Sequence, residues 1–305
     1  MEILELNQKT DYPVVLALGY FDSVHLGHQK VFEETVRLAK KFGVTPAAFT
    51  FTGDVKGTPI QTENERLALF DSCGIDLTVT AEFNAEMKSM PGEEFFEILT
   101  CNFDVKALVC GFDYRFGANA ECTADHLAEL CNKAGIALSV LPPVGIKEEK
   151  VSTSAVKTAL SMGEPEVAAQ LLGRIYTISG VVEGGYRLGQ KLGFPTANIS
   201  MNDRFLPKAG VYAVLATAEG KCYRGVANLG AAPTFLHDKV LLETHLDGYN
   251  GDLYGQTIEV GFVRYLRAIR KFPSKEALIE QLSRDVAAVR EDEHPAFSVC
   301  EKGKE

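Results

Sequence analysis

Apolar residues in the first part of the chain alternate between two rhythms. Val14-Val15-Leu16-Ala17-Leu18 is an unbroken apolar run, the pattern of a strand buried on both faces. Lys30 to Phe42 then places Val31, Phe32, Thr35, Leu38, Ala39 and Phe42 at helical spacing, with Gly43 in the C′ position. Pro46-Ala47-Ala48-Phe49-Thr50-Phe51 predicts a second strand. Thr62-Glu63-Asn64-Glu65 has the form of a capping box and opens a helix through Leu67, Phe70 and Cys73 that closes at Gly74. The pattern continues with a strand over Ile75 to Val79, a helix over Ser89 to Leu99 with Pro91 early, and a strand over Lys106 to Cys110. A helix over Thr123 to Ala134, ended by Gly135, and a strand over Ile136 to Leu141 complete it. Strands alternating with helices predict an α/β unit, a doubly wound, mostly parallel sheet with helices on both faces. Right-handed crossovers then gather the loops after the strands on one edge, where a ligand sits.

The texture changes near Gly173. Leu160 to Leu172 reads as short helices punctuated by Gly163 and Pro165. Beyond it come short apolar runs separated by glycine turns: Tyr176 to Val182, Val211 to Thr217, Lys221 to Ala227, Leu241 to Leu246 and Thr257 to Leu266, with Ala218-Glu219-Gly220 as a hairpin turn. This spacing predicts a small antiparallel β-barrel. Ser274 caps a final helix whose Leu278, Ile279, Leu282, Val286 and Val289 share one face. The expected organisation is therefore residues 1–172 as the doubly wound domain, 173–291 as the barrel with its terminal helix, and 292–305 as a loose polar tail.

Composition narrows the class. A chain of 305 residues with 46% hydrophobic and 24% charged residues is long enough for two domains with cores of their own. The formal net charge of −10 and the lack of a long basic run argue against a nucleic-acid surface. Met1-Glu2-Ile3-Leu4-Glu5 has no basic n-region, and no stretch is apolar enough to span a bilayer, so a cytoplasmic location without membrane partners is expected. The seven cysteines form no C-x-x-C pair. The odd count predicts reduced thiols, and Cys73, Cys101, Cys110 and Cys131 read as small core residues.

Candidate chemistry starts just after the first strand. Gly19-Tyr20-Phe21-Asp22-Ser23-Val24-His25-Leu26-Gly27-His28 delivers two imidazoles between a strand end and a helix start. Free N–H groups and the helix dipole favour phosphate there, and His25 and His28 can hydrogen-bond a triphosphate. A structural pair of histidines is the alternative. After the fourth strand, Gly111-Phe112-Asp113-Tyr114-Arg115-Phe116-Gly117 places a polar Asp113 at a strand end, or is a plain turn over a buried aromatic pair. After the fifth, Ser152-Thr153-Ser154-Ala155-Val156-Lys157 reads first as a helix cap, and its hydroxyls, N–H groups and cation also suit a pyrophosphate.

In the second half, Gly184-Gly185-Tyr186-Arg187-Leu188-Gly189-Gln190-Lys191-Leu192-Gly193-Phe194-Pro195-Thr196-Ala197-Asn198 combines glycines with basic residues. Bare N–H groups in such a loop can approach an anion, although the Walker A spacing is absent and a flexible surface loop remains an alternative. Glu243, in Glu243-Thr244-His245, is by itself an ordinary solvated strand glutamate.

Taken together these segments resemble a known family. Gly19-x-Phe21-Asp22-x-x-His25-x-Gly27-His28 resembles the nucleotidylyltransferase signature, in the form found in bacterial bifunctional riboflavin kinase/FAD synthetases. Gly193-Phe194-Pro195-Thr196-Ala197-Asn198 resembles the riboflavin kinase motif. Gly210-Val211-Tyr212, the stretch Gly225 to Phe235, Glu243-Thr244-His245 and Asp252-Leu253-Tyr254-Gly255 extend the likeness to about Arg290.

The resemblance implies phosphorylation of riboflavin by ATP in the barrel and transfer of AMP from a second ATP to FMN in the first domain. It implies that Asp113, with Gly111, faces the nucleotide and flavin. It implies that Thr196 and Asn198 hold Mg²⁺ and the ATP phosphates, with hard oxygen ligands, and that Glu243 is the general base. The substrates it implies are riboflavin, FMN and ATP.

The chain departs from the family pattern in several places. Ser23 stands for a usual glycine, Lys157 for an arginine, Cys122 for a glycine and Ile269 for a glutamate. Thr52-Gly53-Asp54-Val55-Lys56 lacks the usual Pro-His-Pro stretch. Other readings are a riboflavin kinase with a weakened or inactive adenylyltransferase half, a flavin-sensing protein without turnover, and a cytidylyltransferase-like enzyme. The last accounts for the histidines but not for the second half.

Overall fold

The apolar run at Val14–Leu18 is buried throughout and forms most of β2 (Pro13–Leu18), an interior strand of a parallel sheet. This computed structural model describes residues 1–305 apart from 54, 56, 147–148, 185–192, 202–203, 232–239 and 301–305. By contacts the described chain forms two units, Met1–Thr153 and Ser154–Glu305.

The first unit runs β1 (Glu2–Glu5), β2, α1 (Leu26–Phe42), β3 (Thr45–Thr52), α2 (Glu63–Ser72), β4 (Leu77–Glu82), α3 (Ala85–Ser89), α4 (Gly92–Asn102) and β5 (Asp104–Gly111). A short hairpin of β6 (Arg115–Phe116) and β7 (Cys122–Thr123), α5 (Ala124–Ala134), β8 (Ala137–Leu141), β9 (Gly145–Ile146) and β10 (Glu149–Lys150) follow.

The main sheet has the order β1-β4-β3-β2-β5-β8, and every pairing in it is parallel. The doubly wound expectation holds because alternate strand residues feed two cores. Val15, Ala17, Ala48 and Val109 meet Val31, Phe32 and Phe70 of α1 and α2 on one face. Leu16, Leu18, Phe49 and Leu108 meet Phe95, Leu99 and Leu127 of α4 and α5 on the other. The chain goes from β2 to one neighbour, β3, and later returns to the other, β5. In open α/β sheets such a reversal, here at the carboxyl ends of β2 and β5, is where ligands bind.

Three details differ from the sequence pattern. β1 carries glutamates at both ends and gives no apolar signal, yet it pairs with β4 as an edge strand. The helix expected over Ser89 to Leu99 is broken into α3 and α4, because Met90 before Pro91 is extended (φ −66°, ψ 123°). α1 begins at Leu26 rather than Lys30, so His28 lies in its first turn. The capping box at Thr62 and Glu65 is present, as is the Ser274 cap, whose side chain accepts from the Ala277 N–H.

The second unit contains α6 (Thr153–Met162, its first residue counted with the first unit), α7 (Pro165–Leu172), β11 (Tyr176–Val181), β12 (Ala197–Ser200), β13 (Gly210–Ala218), β14 (Lys221–Ala231), β15 (Val240–Leu246), β16 (Thr257–Arg267) and α8 (Lys275–Arg290). α6 and α7 group with the barrel because α7 packs on β11 and β16, burying Ala168, Leu171 and Leu172. The barrel sheet runs β11-β16-β13-β14-β15-β12, fully antiparallel, and a Glu183–Asn198 bridge links its two ends. β12 was not expected: its Ala-Asn-Ile-Ser sequence is short and follows a glycine-rich segment.

Tyr176, Tyr212 and Phe262 interlock within the barrel. Residues of alternate parity, Val211, Ala213, Val226 and Val263, face α8 through Val286 and Val289. Phe297 joins that cluster fully buried, beneath the Arg224 guanidinium, so the tail from residue 292 is not loose throughout. The apolar ring outweighs the polar residues around it.

Cys110 and Cys131 are core residues, but Cys73 is half-buried and Cys101 exposed, since Phe95, Phe96 and Leu99 occupy the inward face of α4. Cys222 is disulfide-bonded, which corrects the all-reduced expectation; proximity in the fold, not spacing in sequence, decides pairing. Among the described residues no helix is long and apolar enough to cross a membrane.

Ile269, where the family has a glutamate, is 48% exposed. Arg267 is nevertheless paired: its guanidinium donates to both oxygens of Asp285 on α8, at 2.6–3.1 Å, and Gln281 donates to the same carboxylate. Asp285 is buried, so removing it strands a guanidinium. Asp285→Ala is expected to lower barrel stability by roughly 3 kcal/mol, read as a lower urea midpoint at unchanged slope.

Candidate active sites

The first site lies beyond β2. Gly19 and Tyr20 leave the strand, and the following strap holds Phe21, Ser23 and Val24 at left-handed φ angles of 55°, 72° and 42°. Non-glycine residues keep such angles only where surrounding contacts over-determine them. Those contacts are specific. The Tyr20 carbonyl accepts from Thr50 Oγ1 at 2.8 Å and from Arg66 Nη1 at 3.0 Å. Arg66 Nη2 donates to the Phe51 carbonyl at 2.7 Å, and the guanidinium covers the Tyr20 ring at 4.6 Å. Asp22 accepts the Ile60 N–H at 3.0 Å through its carboxylate, and its carbonyl accepts from Thr153 Oγ1 at 3.1 Å. Gln29 Nε2 donates to the Val24 carbonyl at 2.9 Å.

The strap delivers two imidazoles. His25 is the N-cap of α1, its Nδ1 accepting the His28 N–H at 3.2 Å. The two rings stack with centroids 3.6 Å apart and planes 17° from parallel. Gly27 is required by this stack, since a Cβ there would lie 3.0 Å from His25 Cε1. A Cβ at Gly19 would lie 2.8 Å from the Phe21 ring. Phe21 itself is buried against Phe32 and Phe70, so Phe21 and Asp22 serve as braces beneath the site. Ser23 is fully buried with its hydroxyl 3.4 Å from that of Thr153, which ties the strap to the start of α6.

Leu18 pairs with Cys110, so Gly19, just past β2, lies beside Gly111, the last residue of β5. In the Gly111 loop, Asp113 is exposed and ion-paired with Lys150 at 2.6 Å. The Lys150 ammonium also sits 4.6 Å from the centre of the exposed Phe112 ring. Ser152 and Thr153 are half-buried. Cys122, at a position where glycine is common, is buried; a Cβ on Gly92 would meet its sulfur at 2.5 Å, so it fills space in the core. Ser154 and Lys157 belong to the second unit, where the Lys157 ammonium lies 5.6 Å from the Phe205 ring centre.

The second site is a row across three barrel strands. Asn198 of β12 pairs with Glu243 of β15, which pairs with Asn228 of β14. Directly paired residues face the same side of a sheet. Glu243 is exposed, and its Oε2 accepts from Asn228 Nδ2 at 3.0 Å, which orients the carboxylate. Asn198 is 9% exposed, and its Oδ1 has no hydrogen-bond partner among the described residues. A buried carbonyl oxygen left without a donor fits a cation ligand. Thr196, half-buried, places its hydroxyl just before β12. A cavity of about 460 Å³ opens here, lined by Thr196, Asn198, Leu246, Tyr249, Asp252 and Tyr254. Pro195 also lines it, Gly184 and Gly193 are exposed nearby in sequence, and Gly189 lies outside the described residues, as do Tyr186, Arg187 and Pro233 to Phe235.

Asn228 and Arg66 carry weight that the sequence pattern did not assign. Asn228 reaches Glu243 only through strand register. Arg66 sits in the inward stripe of α2 beside Leu67 and Phe70, and an arginine in an apolar stripe is the signal that could have marked it.

Comparison with known proteins adds to this geometry. The FAD synthetase family model matches residues 7–155, and the riboflavin kinase family model matches residues 172–292. The bifunctional riboflavin kinase/FMN adenylyltransferase of Bacillus subtilis (strain 168) is 33% identical over 288 residues, 89% of this chain and 90% of the relative. The protein of that name from Escherichia coli (strain K12) is 30% identical over 299 residues, 95% and 96% of the two chains. A crystal structure titled macrolide-efflux protein from Streptococcus pneumoniae superposes with a TM-score of 0.86 at 27% identity, over 96% of this chain and 100% of that one.

Arg66 is 4% exposed, and burial pushes its guanidinium below the usual pKa, so it persists as a charge because two carbonyls and a ring face hold it. Arg66→Met removes both charge-assisted bonds and is expected to cost about 2 kcal/mol. Amide exchange measured by mass spectrometry should quicken across residues 20–24 before it does so elsewhere in the sheet.

Proposed function

The chain belongs to the bifunctional riboflavin kinase/FMN adenylyltransferase family, and we propose that its two reactions are divided between the two sites above. It is an enzyme that makes FMN from riboflavin and ATP, and FAD from FMN and a second ATP with release of pyrophosphate. Adenylyl transfer is assigned to residues 1–172, the kinase to residues 173–291, and the tail from 292 to 305 has no chemical role in this assignment.

The observation that carries the kinase half is the Asn198–Glu243–Asn228 row beside the cavity. Glu243 accepts the proton of the ribityl 5′-hydroxyl as its oxygen attacks the γ-phosphorus, and the bond from that phosphorus to the departing ADP breaks. Asn228 holds Oε2, so the carboxylate presents its other oxygen in one orientation. Thr196 and Asn198 are the residues that would hold Mg²⁺, and the orphaned Asn198 Oδ1 supports this. When bound, Mg²⁺ supplies positive charge against the ATP phosphates. Gly184, Gly193 and Pro195 are assigned to the approach to those phosphates, as is Gly189, which lies outside the described residues.

In the first site the phosphate of FMN attacks the α-phosphorus of ATP, and the bond to pyrophosphate breaks. No covalent enzyme intermediate is needed, since the nucleophile is already an anion; positioning and charge stabilisation suffice. Because His25 Nδ1 accepts an amide, neutral His25 bears its proton on Nε2, the tautomer that can donate to a phosphate oxygen. His28 lies in the first turn of α1, where the helix dipole favours an anion. Ser152, Thr153, Ser154 and Lys157 complete the assignment as ligands of the departing pyrophosphate. Gly19, Gly27 and Gly111 allow the close approach, and Asp113 is the polar group toward nucleotide and flavin. The partners are riboflavin, FMN and ATP, and consumption of ATP in both steps supports a cytoplasmic setting.

Incubation of each variant with riboflavin or with FMN, plus ATP and Mg²⁺, followed by chromatography, tests this division. His28→Ala should lower FAD formation at least about a hundredfold while FMN still accumulates from riboflavin. Asn198→Ala should do the opposite, stopping FMN formation yet converting supplied FMN to FAD. Glu243→Gln should cost roughly 10²–10⁴ in riboflavin phosphorylation. Loss of both products from both flavins in the single variants would overturn the division.

A further inference from the structure

We propose that His245 is a positioning residue of the kinase site, acting through the Pro195 carbonyl to hold Thr196 in place for the Mg²⁺–nucleotide. This deepens the assignment of Thr196, Asn198 and Glu243 made above and rests on it.

The argument begins with where β12 stops. Its first paired residue is Ala197, opposite Thr244 of β15. Continuing that register would set Thr196 opposite His245 and Pro195 opposite Leu246. Pro195 has no N–H, so the ladder ends there and its carbonyl is left without a strand partner. The His245 ring takes that carbonyl at 2.9 Å through Nδ1, and Phe194 meets the ring edge-on with centroids 5.5 Å apart at 73°.

The consequence differs between the two oxygen donors of the site. Asn198 is fixed by backbone pairing on both sides, to Glu243 and, through the Glu183 bridge, to the opposite end of the sheet. Thr196 lies outside the ladder, and the residue before it is the one that the imidazole clamps. Glu243 and His245 are two apart on β15 and share a face, so a single strand carries both the base and the clamp. A carbonyl only accepts, so Nδ1 carries a hydrogen. A neutral ring therefore has its lone pair on Nε2.

Three substitutions in the full-length enzyme separate this role from mere packing. Asparagine can place its amide nitrogen where Nδ1 stood, whereas glutamine reaches toward the Nε2 position. His245→Ala and His245→Gln should raise the KM for Mg²⁺–ATP in riboflavin phosphorylation about tenfold, with kcat and the KM for riboflavin within about threefold of the parent. His245→Asn should recover most of that affinity. FAD formation from supplied FMN is the internal control for intact protein.

A readout independent of turnover comes from side-chain ¹⁵N NMR of the parent enzyme, which should show His245 protonated at Nδ1. Equal effects of the alanine and asparagine variants, a fall confined to kcat, or an Nδ1 without its hydrogen would overturn the proposal. The NMR result decides even if the variants fail to fold. If Asn198→Ala leaves riboflavin phosphorylation intact, the site assignment itself falls. If it abolishes phosphorylation and His245→Ala changes nothing, only the positioning role falls.

Discussion

Where a β-ladder stops, the carbonyls of its last residues lose their partners, and each one buried uncompensated costs about 1–3 kcal/mol. Both sites of this protein stand at such endings. Past the end of the β2–β3 ladder the carbonyls of Tyr20 and of Phe51, near the end of β3, are taken by Arg66, with Thr50 sharing the first. Those of Asp22 and Val24 are taken by Thr153 and Gln29. At the start of β12 the Pro195 carbonyl is taken by His245. In each case a side chain from a different element supplies the donor. The same bonds that satisfy the backbone therefore fix the loops to which phosphate binding is assigned. Folding and preorganisation are here one requirement.

In the proposed division the two sites would meet the charge of a triphosphate with different parts. The parallel sheet offers a helix start beyond β2 and two stacked imidazoles, one of which caps that helix. An antiparallel barrel has no crossover helix at its strand ends, so it cannot offer the same corner. It offers instead a row of facing side chains across adjacent strands, a carboxylate flanked by two amides. Proton abstraction from a neutral hydroxyl needs such a carboxylate; attack by a phosphate that is already anionic does not. The difference in chemistry follows the difference in architecture.

The alternation of strands and helices, both expected caps at Thr62 and Ser274, and the barrel were legible because each rests on local periodicity or on spacing within one turn. What escaped was non-local. β1 is a strand by virtue of β4, and β12 by virtue of β15. Asn228 acquires its role only when register sets it beside Glu243. Phe21 and Asp22, which belong to the motif that carries the resemblance, are buried beneath the site, and nothing in spacing distinguishes the two sides of a tight strap. Arg66 showed only as an arginine in an apolar stripe; what it holds is non-local, since the two carbonyls come from separate strands.

The departures from the family pattern can be weighed against the same constraint. A substitution is tolerable when the backbone group or charge it touched has another partner. Arg267 keeps a carboxylate, because Asp285 accepts from its Nε and Nη2, while the half-exposed Ile269 reaches over Gly230. Cys122 adds volume beside Gly92 and Gly117, and the space is filled rather than strained because both neighbours lack a Cβ. Ser23 is the demanding case. It is fully buried at φ 72°, a conformation that costs an L-residue about 1–2 kcal/mol relative to glycine. Its hydroxyl, however, meets that of Thr153, the residue that also holds the Asp22 carbonyl. A glycine would remove both the strain and that contact. The strap would then be easier to form but would lose a tie to the start of α6. The serine thus exchanges local comfort for a further tie between the imidazole strap and Thr153.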